Sequence, residues 1–185
     1  MKRNSGFTLI ELLVVITIIG ILAGLSFPAI SGAINAAKKA EAGAMVSQIK
    51  IALTSYQTEY GRWPSMLAGA TDQQIESDNA PFYELLIGRN DTTDNNNPRR
   101  IVFMEFNSKA LRADATSKTP PADLSTANRF VDPWNQAYFI RVDSNYDNVI
   151  TVPGGDINAS IAVWSTGKPN GAARETTVSK FVKSW

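Results

Sequence analysis

Cysteine and histidine are both absent from this 185-residue chain. Without cysteine there is no disulfide framework, no lipid-modified thiol and no thiolate metal site. Without histidine the usual general base near neutral pH and the commonest metal ligand are gone as well. Charge is scarce: 18 basic and 17 acidic side chains make up 19% of the chain and leave a formal net charge of +1, too weak a field to gather nucleic acid or acidic substrates. No Gly-Lys-Ser/Thr phosphate loop occurs, and no basic groove interleaved with aromatics suited to nucleic acid. An enzyme built on carboxylates or on a serine and a lysine stays open, but no spacing asks for one.

What the chain does have is one long apolar run. Residues 6 to 30 read GFTLIELLVVITIIGILAGLSFPAI, with a single carboxylate, Glu11, five residues after Gly6. Leu12 to Ile30 gives nineteen residues without a formal charge, close to the roughly 20 that a helix needs to cross a bilayer. Lys2 and Arg3 precede the run, so the positive-inside tendency predicts a cytoplasmic N-terminus, one span and an external C-terminal domain. A lone acid at the head of such a span is costly and asks for a reason. The competing reading is a cleaved secretory signal peptide with Ser31-Gly32-Ala33 as its small-residue cleavage site. Against it stand the length of the run, the position of Glu11 and a helical pattern that continues past the cut.

The apolar run and its leader take about 30 residues and leave roughly 150, enough for one modest core. Ile34, Met45, Ile49, Ala52, Tyr56 and Tyr60 fall at helical spacings, while Lys38, Lys39, Glu41, Gln48, Lys50 and Glu59 supply polar positions. Asn35 to Lys50 is rich in alanine, and Gly61 followed by Pro64 supplies a stop. The pattern predicts one helix from Phe7 to Tyr60 of about 54 residues, roughly 80 Å long at 1.5 Å per residue. Pro28 predicts a kink or local melting within it. Gly20 and Gly24, four apart, would let another helix approach closely.

Beyond the helix, Tyr83 to Gly88 reads as a short helix and Asp91 to Pro98, DTTDNNNP, as an exposed loop. Ile101 to Phe106, Ala137 to Val142 and Ile157 to Trp164 read as strands, with Asn148 to Thr151 a further one. Ser108 to Ala127 reads as irregular. Asp132-Pro133 has the chemistry of a turn entering a strand, the Asp side chain accepting local N–H groups. The expected product is an α+β unit in which a small antiparallel sheet covers the Met45, Ile49 and Tyr56 face of the helix. Tyr56, Tyr60, Trp63 and Trp134 are candidates for a ligand pocket or, more simply, for core packing.

The string Gly6-Phe7-Thr8-Leu9-Ile10-Glu11 followed by an apolar helix closely resembles the class III leader of type IV pilins and type II secretion pseudopilins. The resemblance implies that a prepilin peptidase cuts after Gly6 and methylates the new N-terminal Phe7. It puts Glu11 at the family's invariant acid and Pro28 at its helix-melting proline, and makes Phe7, Glu11 and Pro28 the filament-assembly residues. Loss of the leader with Lys2 and Arg3 would take the 18 basic side chains to 16 against 17 acidic ones. The physical reason for Glu11 is that the freed amine on Phe7, in an apolar setting, needs a carboxylate about one helical turn away on the same or a neighbouring subunit.

Arg62-Trp63-Pro64, Asp132-Pro133-Trp134-Asn135 and Trp164-Ser165-Thr166-Gly167 with the final Trp185 resemble landmarks of the major pseudopilin. The resemblance implies a type IV pilin-like α+β fold: a long N-terminal helix, its first half transmembrane and its second half packed on a small antiparallel sheet. The corresponding segments are a leader at 1–6, a transmembrane and filament-core helix at 7–30, an amphipathic continuation at 31–61 and a periplasmic domain at 62–185. It also implies a structural subunit and not an enzyme, single-pass in the bacterial inner membrane, polymerised into a periplasmic pseudopilus that supports protein export. The implied partners are further copies of the chain, minor pseudopilins, the prepilin peptidase, the inner-membrane assembly platform and the secretion ATPase, with no nucleic acid. The alternatives are a major or minor subunit of a type IV pilus serving adhesion, motility or DNA uptake, and a membrane-anchored periplasmic enzyme or binding protein. Two departures stand out. Residues 65–128 are longer and more polar than in major pseudopilins. The family's calcium loop is eroded, with Asn170 in place of Asp and Thr176-Thr177-Val178 in place of an acidic pair. Hard cations prefer several carboxylate oxygens, so no cofactor is expected and calcium would be held weakly at best.

Overall fold

The computed structural model describes residues 7–89, 96–169 and 176–185, the side chains of 25–29 excepted. The chain divides into two compact units, Met1–Lys38 and Lys39–Trp185. Helix α1 runs Leu9–Tyr60, 52 residues, close to the span that the apolar and alanine-rich pattern predicts. It is continuous through Pro28, so the local melting expected there does not occur.

Among the described residues no helix is long and apolar enough to cross a membrane. This overturns the transmembrane first half of the helix. With it goes the single-pass inner-membrane placement, N-terminus cytoplasmic and C-terminal domain periplasmic.

In the second unit, α1 presents Ala42, Val46, Ile49, Ala52, Leu53 and Tyr56, all buried at spacings of three and four residues. Ile49, Ala52 and Tyr56 were legible from the periodicity, whereas Met45 and Tyr60 sit half-buried at the edge of that stripe and Ile34, in the first unit, is exposed. Ala42 and Val46 extend the buried stripe toward the N-terminus, and the small Ala42 side chain lets the helix lie close to what it covers.

That cover is a four-stranded antiparallel sheet in the order β1 (Gln73–Glu76), β4 (Tyr138–Val142), β7 (Ile161–Ser165) and β8 (Val182–Lys183). Side chains alternate across a strand, and here both faces are used. Tyr138, Ile140 and Val142 of β4, with Ile161 and Val163 of β7, join the cluster that contains α1. Ala162 and Trp164 face a second cluster with Ile150, Val152 and Phe181. Phe139 and Trp164, paired across the ladder, stack at 5.4 Å with 12° between the rings, and Trp185 meets Trp164 edge-on at 5.7 Å. Ile150 and Val152 come from the hairpin β5 (Ile150–Val152) and β6 (Gly155–Ile157). The predicted Ile157–Trp164 strand is therefore split into β6 and β7.

Helix α2 (Ala80–Leu86) starts where the Asn79 side chain accepts from the Phe82 N–H at 3.1 Å, with Pro81 in its first turn. It ends at Gly88, whose φ of +69° suits glycine, and a Cβ there would come within 2.7 Å of the Arg100 carbonyl oxygen. β2 (Leu111–Arg112), inside the stretch predicted irregular, and β3 (Arg129–Phe130), just beyond it, form a separate two-stranded ladder. Ile101–Phe106 is not a strand: Phe103 and Met104 give their N–H groups to one carbonyl, that of Leu86, at 2.9 and 3.1 Å.

The predicted exposed loop also needs correction. Residues 91–95 lie outside the described residues, but Asn96 and Asn97 are only 1% and 5% exposed. The Asn97 amide donates to the carbonyls of Leu85 (3.1 Å) and Ile101 (2.8 Å), and its oxygen accepts from the Ile101 N–H (3.0 Å) and the Tyr60 hydroxyl (2.8 Å). Tyr56 donates to the Asn96 carbonyl at 2.8 Å. Replacing Asn97 with Ala strips partners from several buried groups at once, so unfolding of the full chain in urea should show a loss of about 3 kcal/mol. A change under about 0.5 kcal/mol, the range of ordinary surface substitutions, would show that the network carries no weight.

Candidate assembly surface

The first helical turn of α1 is closed by its own side chains. Thr8-Leu9-Ile10-Glu11 is a capping box: the Thr8 N–H and hydroxyl both donate to Glu11 Oε2, at 2.8 and 2.7 Å, and the Glu11 N–H returns a bond to Thr8 Oγ1 at 3.3 Å. Glu11 also sits where the helix macrodipole favours a negative charge. Its carboxyl is held below the usual range, chiefly by the Thr8 hydroxyl and then by the Thr8 N–H. The second carboxylate oxygen, Oε1, carries no hydrogen bond among the described residues. Thr8 was missed as a functional residue although the signal was there, a threonine three residues before the acid.

Beyond this cap the helix is apolar on every side. Between Phe7 and Leu22, twelve large apolar side chains are exposed, from 46% at Val15 to 83% at Leu9, with Phe7 at 82%. Phe7, Ile10, Glu11, Val14 and Val15 share one shallow face, following the three-and-four spacing of a helix. Nothing lies within 4 Å of where a side chain would stand on Gly20 or Gly24. Covering one such Leu or Ile stabilises by roughly 1.5–3 kcal/mol. A dozen of them outweigh the cost of bringing chains together, estimated at about 4–15 kcal/mol. Of the residues expected to matter here, Phe7 and Glu11 lie together at the helix start; Gly6 and the side chain of Pro28 lie outside what is described.

A family model for the prokaryotic N-terminal methylation motif matches residues 1–27, the stretch that contains Gly6, Phe7 and Glu11. A fimbrial protein of Neisseria meningitidis serogroup A is 45% identical over 62 residues, 34% of this chain and 36% of that protein. The type IV major pilin protein PilE1 of Neisseria gonorrhoeae is 44% identical over 61 residues, 33% of this chain and 37% of that protein. Over about a third of its length the chain is homologous to type IV pilins and type II secretion pseudopilins. To the second group belongs the type II secretion system core protein G of Aeromonas hydrophila, 38% identical over 68 residues, 37% of this chain and 48% of that protein. Each match spans less than half of the relative's own length. No solved structure matches the chain.

The other candidates fall into place as structure. Tyr56 is buried and bonded, and the Trp63 indole donates to the Asp143 carbonyl at 2.8 Å, so these rings are core. Asp132, 2% exposed, holds the turn into β4: Oδ1 accepts from the N–H groups of Trp134 (2.9 Å) and Gln136 (2.8 Å), and Oδ2 from the Ser165 hydroxyl (2.5 Å). The landmark pair Asp132 and Ser165 is thus one staple between the turn and β7. Asn170 lies outside the described residues, and no cluster of three acidic side chains able to hold a metal occurs among those described.

A titration of the full chain followed by NMR should find Glu11 ionising below the ordinary glutamate value, and Thr8→Val should raise it. Because the folded value is depressed, the contribution of the cap is present above the unfolded value and is lost as pH falls through the folded one. A Glu11 value unmoved by Thr8→Val would remove the capping box as its cause.

Proposed function

We propose that the chain is a subunit of a type IV pilus, cut after Gly6, methylated on Phe7 and polymerised through the exposed apolar part of α1. The observation that carries this reading is a methylation motif at the head of a helix segment with a dozen apolar side chains uncovered. Its role is structural: the second unit is the folded head, and the apolar segment is the part that other copies cover. Glu11 is the pairing group. Its Oε2 is engaged by Thr8, which leaves Oε1 for the freed amine of Phe7 on an adjoining subunit, a charge-assisted bond in an apolar setting. A prepilin peptidase, an assembly platform and a cytoplasmic ATPase are the partners that this route requires.

A second reading, a pseudopilin of a type II secretion system, is favoured by the match to the Aeromonas hydrophila core protein G, which extends over a larger share of that protein than of the Neisseria pilins above. It shares every step of assembly and differs in where the filament ends and in what it moves.

Gly6→Val should leave a full-length precursor when the peptidase is present, as read by intact-protein mass spectrometry; normal trimming would refute the assigned cut. Glu11→Gln should be cut and methylated normally yet lower filament yield at least about tenfold, as the loss of one buried charge pair demands. Undiminished polymerisation would end the proposed pairing. Immunogold label on surface filaments supports the pilus, and its absence together with failed protein export supports the pseudopilus.

A further inference from the structure

The second unit holds a polar cavity of about 210 Å³ whose lining includes Asp78, Arg112, Ser117, Arg129, Asn135 and Gln136. Arg112 and Arg129 stand directly opposite one another on the β2–β3 ladder. Like charges in that position destabilise a ladder unless something neutralises them. Arg129 has a loose partner, with its Nη1 3.7 Å from Asp78 Oδ2. Arg112 has none: it is 7% exposed, and no carboxylate forms an ion pair with it among the described residues.

The guanidinium of Arg112 is nonetheless held in place. Its Nε donates to Asn135 Oδ1 at 2.7 Å, and its Nη1 to the carbonyls of Lys109 (2.8 Å) and Leu111 (2.6 Å). Its Nη2 has no hydrogen bond within the protein among the described residues. Asp114, also in the lining, is kept ionised by its own turn, and among the described residues it makes no ion pair with Arg112. Its Oδ1 takes the Thr116 N–H (2.7 Å), the Thr116 hydroxyl (2.6 Å) and the Ser117 N–H (2.8 Å), and its Oδ2 the Ser117 hydroxyl (3.3 Å). Burial works against the charge on Arg112, and a buried cation without a direct ion pair is costly. A planar fork with a free amino group, a second arginine opposite and an amide side chain in the wall is the donor arrangement that carboxylate and phosphate groups fit.

We propose that this cavity binds a small oxyanion, a carboxylate or phosphate group, seated on the free edge of Arg112 and flanked by Arg129 and Gln136. The site lies on the head and uses none of the residues assigned to assembly, so its occupancy is independent of how the filament is read. Its volume admits a single group or a small acidic molecule, not a polymer.

The test is a titration of the full chain, kept dispersed in a non-ionic detergent, with sodium phosphate and separately with sodium acetate at constant ionic strength. The readout is the ¹⁵N–¹H signals of Arg112 Nε and the Gln136 side chain. Saturable shifts confined to these groups and Arg129 are expected. Saturation by phosphate alone identifies a phosphoryl ligand, and by acetate alone a carboxylate. Arg129→Gln, at a less buried position, should weaken binding about tenfold, the effect of losing one charge-assisted contact. Arg112→Lys keeps the charge without the fork and should abolish saturation. Shifts that stay linear with either salt, or binding unchanged in Arg129→Gln, would overturn the proposal.

Discussion

Apolar surface that has no partner within its own chain is the constraint from which the rest of this molecule follows. Helix α1 is one continuous element, yet its two stretches solve the problem of burial in opposite ways. From Ala42 to Tyr56 a stripe of six residues is sealed by the chain's own sheet. From Phe7 to Leu22 the apolar side chains point in all directions and remain uncovered. A stripe can be satisfied by a single sheet face, because only one side of the helix is apolar. A helix apolar all round can be satisfied only by being surrounded, and a small α+β head cannot wrap it. In the proposed filament neighbouring helices would do so without asking anything further of the head.

The capping box gives the acid at the start of that segment a role before any neighbour arrives. A lone helix end leaves its first N–H groups without partners. Thr8 and Glu11 satisfy the local need reciprocally, so the unassembled helix is closed at its N-terminus and its carboxylate is ionised. An ionised, oriented carboxylate with one oxygen still open is prepared for a cation and needs no large rearrangement to receive it. In the proposed filament the same two residues would link the stability of the separate subunit to the register of the assembled one.

Legibility in the sequence tracked how local each interaction is. The motif around Gly6 and Glu11, the extent of α1, the cores of β4 and β7 and the Asp132 turn are all set by neighbours within a few positions, and they were readable. β1, Gln-Gln-Ile-Glu, was not, because an edge strand with one inward side chain carries almost no apolar alternation. Asn96 and Asn97 read as loop surface because what buries them is supplied from afar, by Tyr56, Tyr60, Leu85 and Ser65. Ile101–Phe106 had strand composition but found a single carbonyl on α2's last turn instead of a ladder. The membrane span was expected from a local run of uncharged residues, and no helix among the described residues is long and apolar enough to cross a membrane.

The Asp132 turn shows how a structural staple reaches a site. Asp132 fixes the N–H groups of Trp134 and Gln136 and ties them to Ser165 of β7, which forces Asn135 into a left-handed conformation with φ of 63°. That conformation is uncommon outside glycine, and asparagine tolerates it better than most residues. It is the Asn135 side chain, placed by this turn, that accepts from Arg112 Nε. The orientation of a buried guanidinium is therefore set by the same turn, Asp132 to Gln136, that leads into β4. Weakening the turn would loosen sheet and cavity together, whereas changing Arg129 on the opposite strand would touch the cavity alone. A buried guanidinium held by three protein acceptors keeps its direction because each acceptor is itself fixed, and the Asn135 acceptor is fixed by the turn that Asp132 anchors.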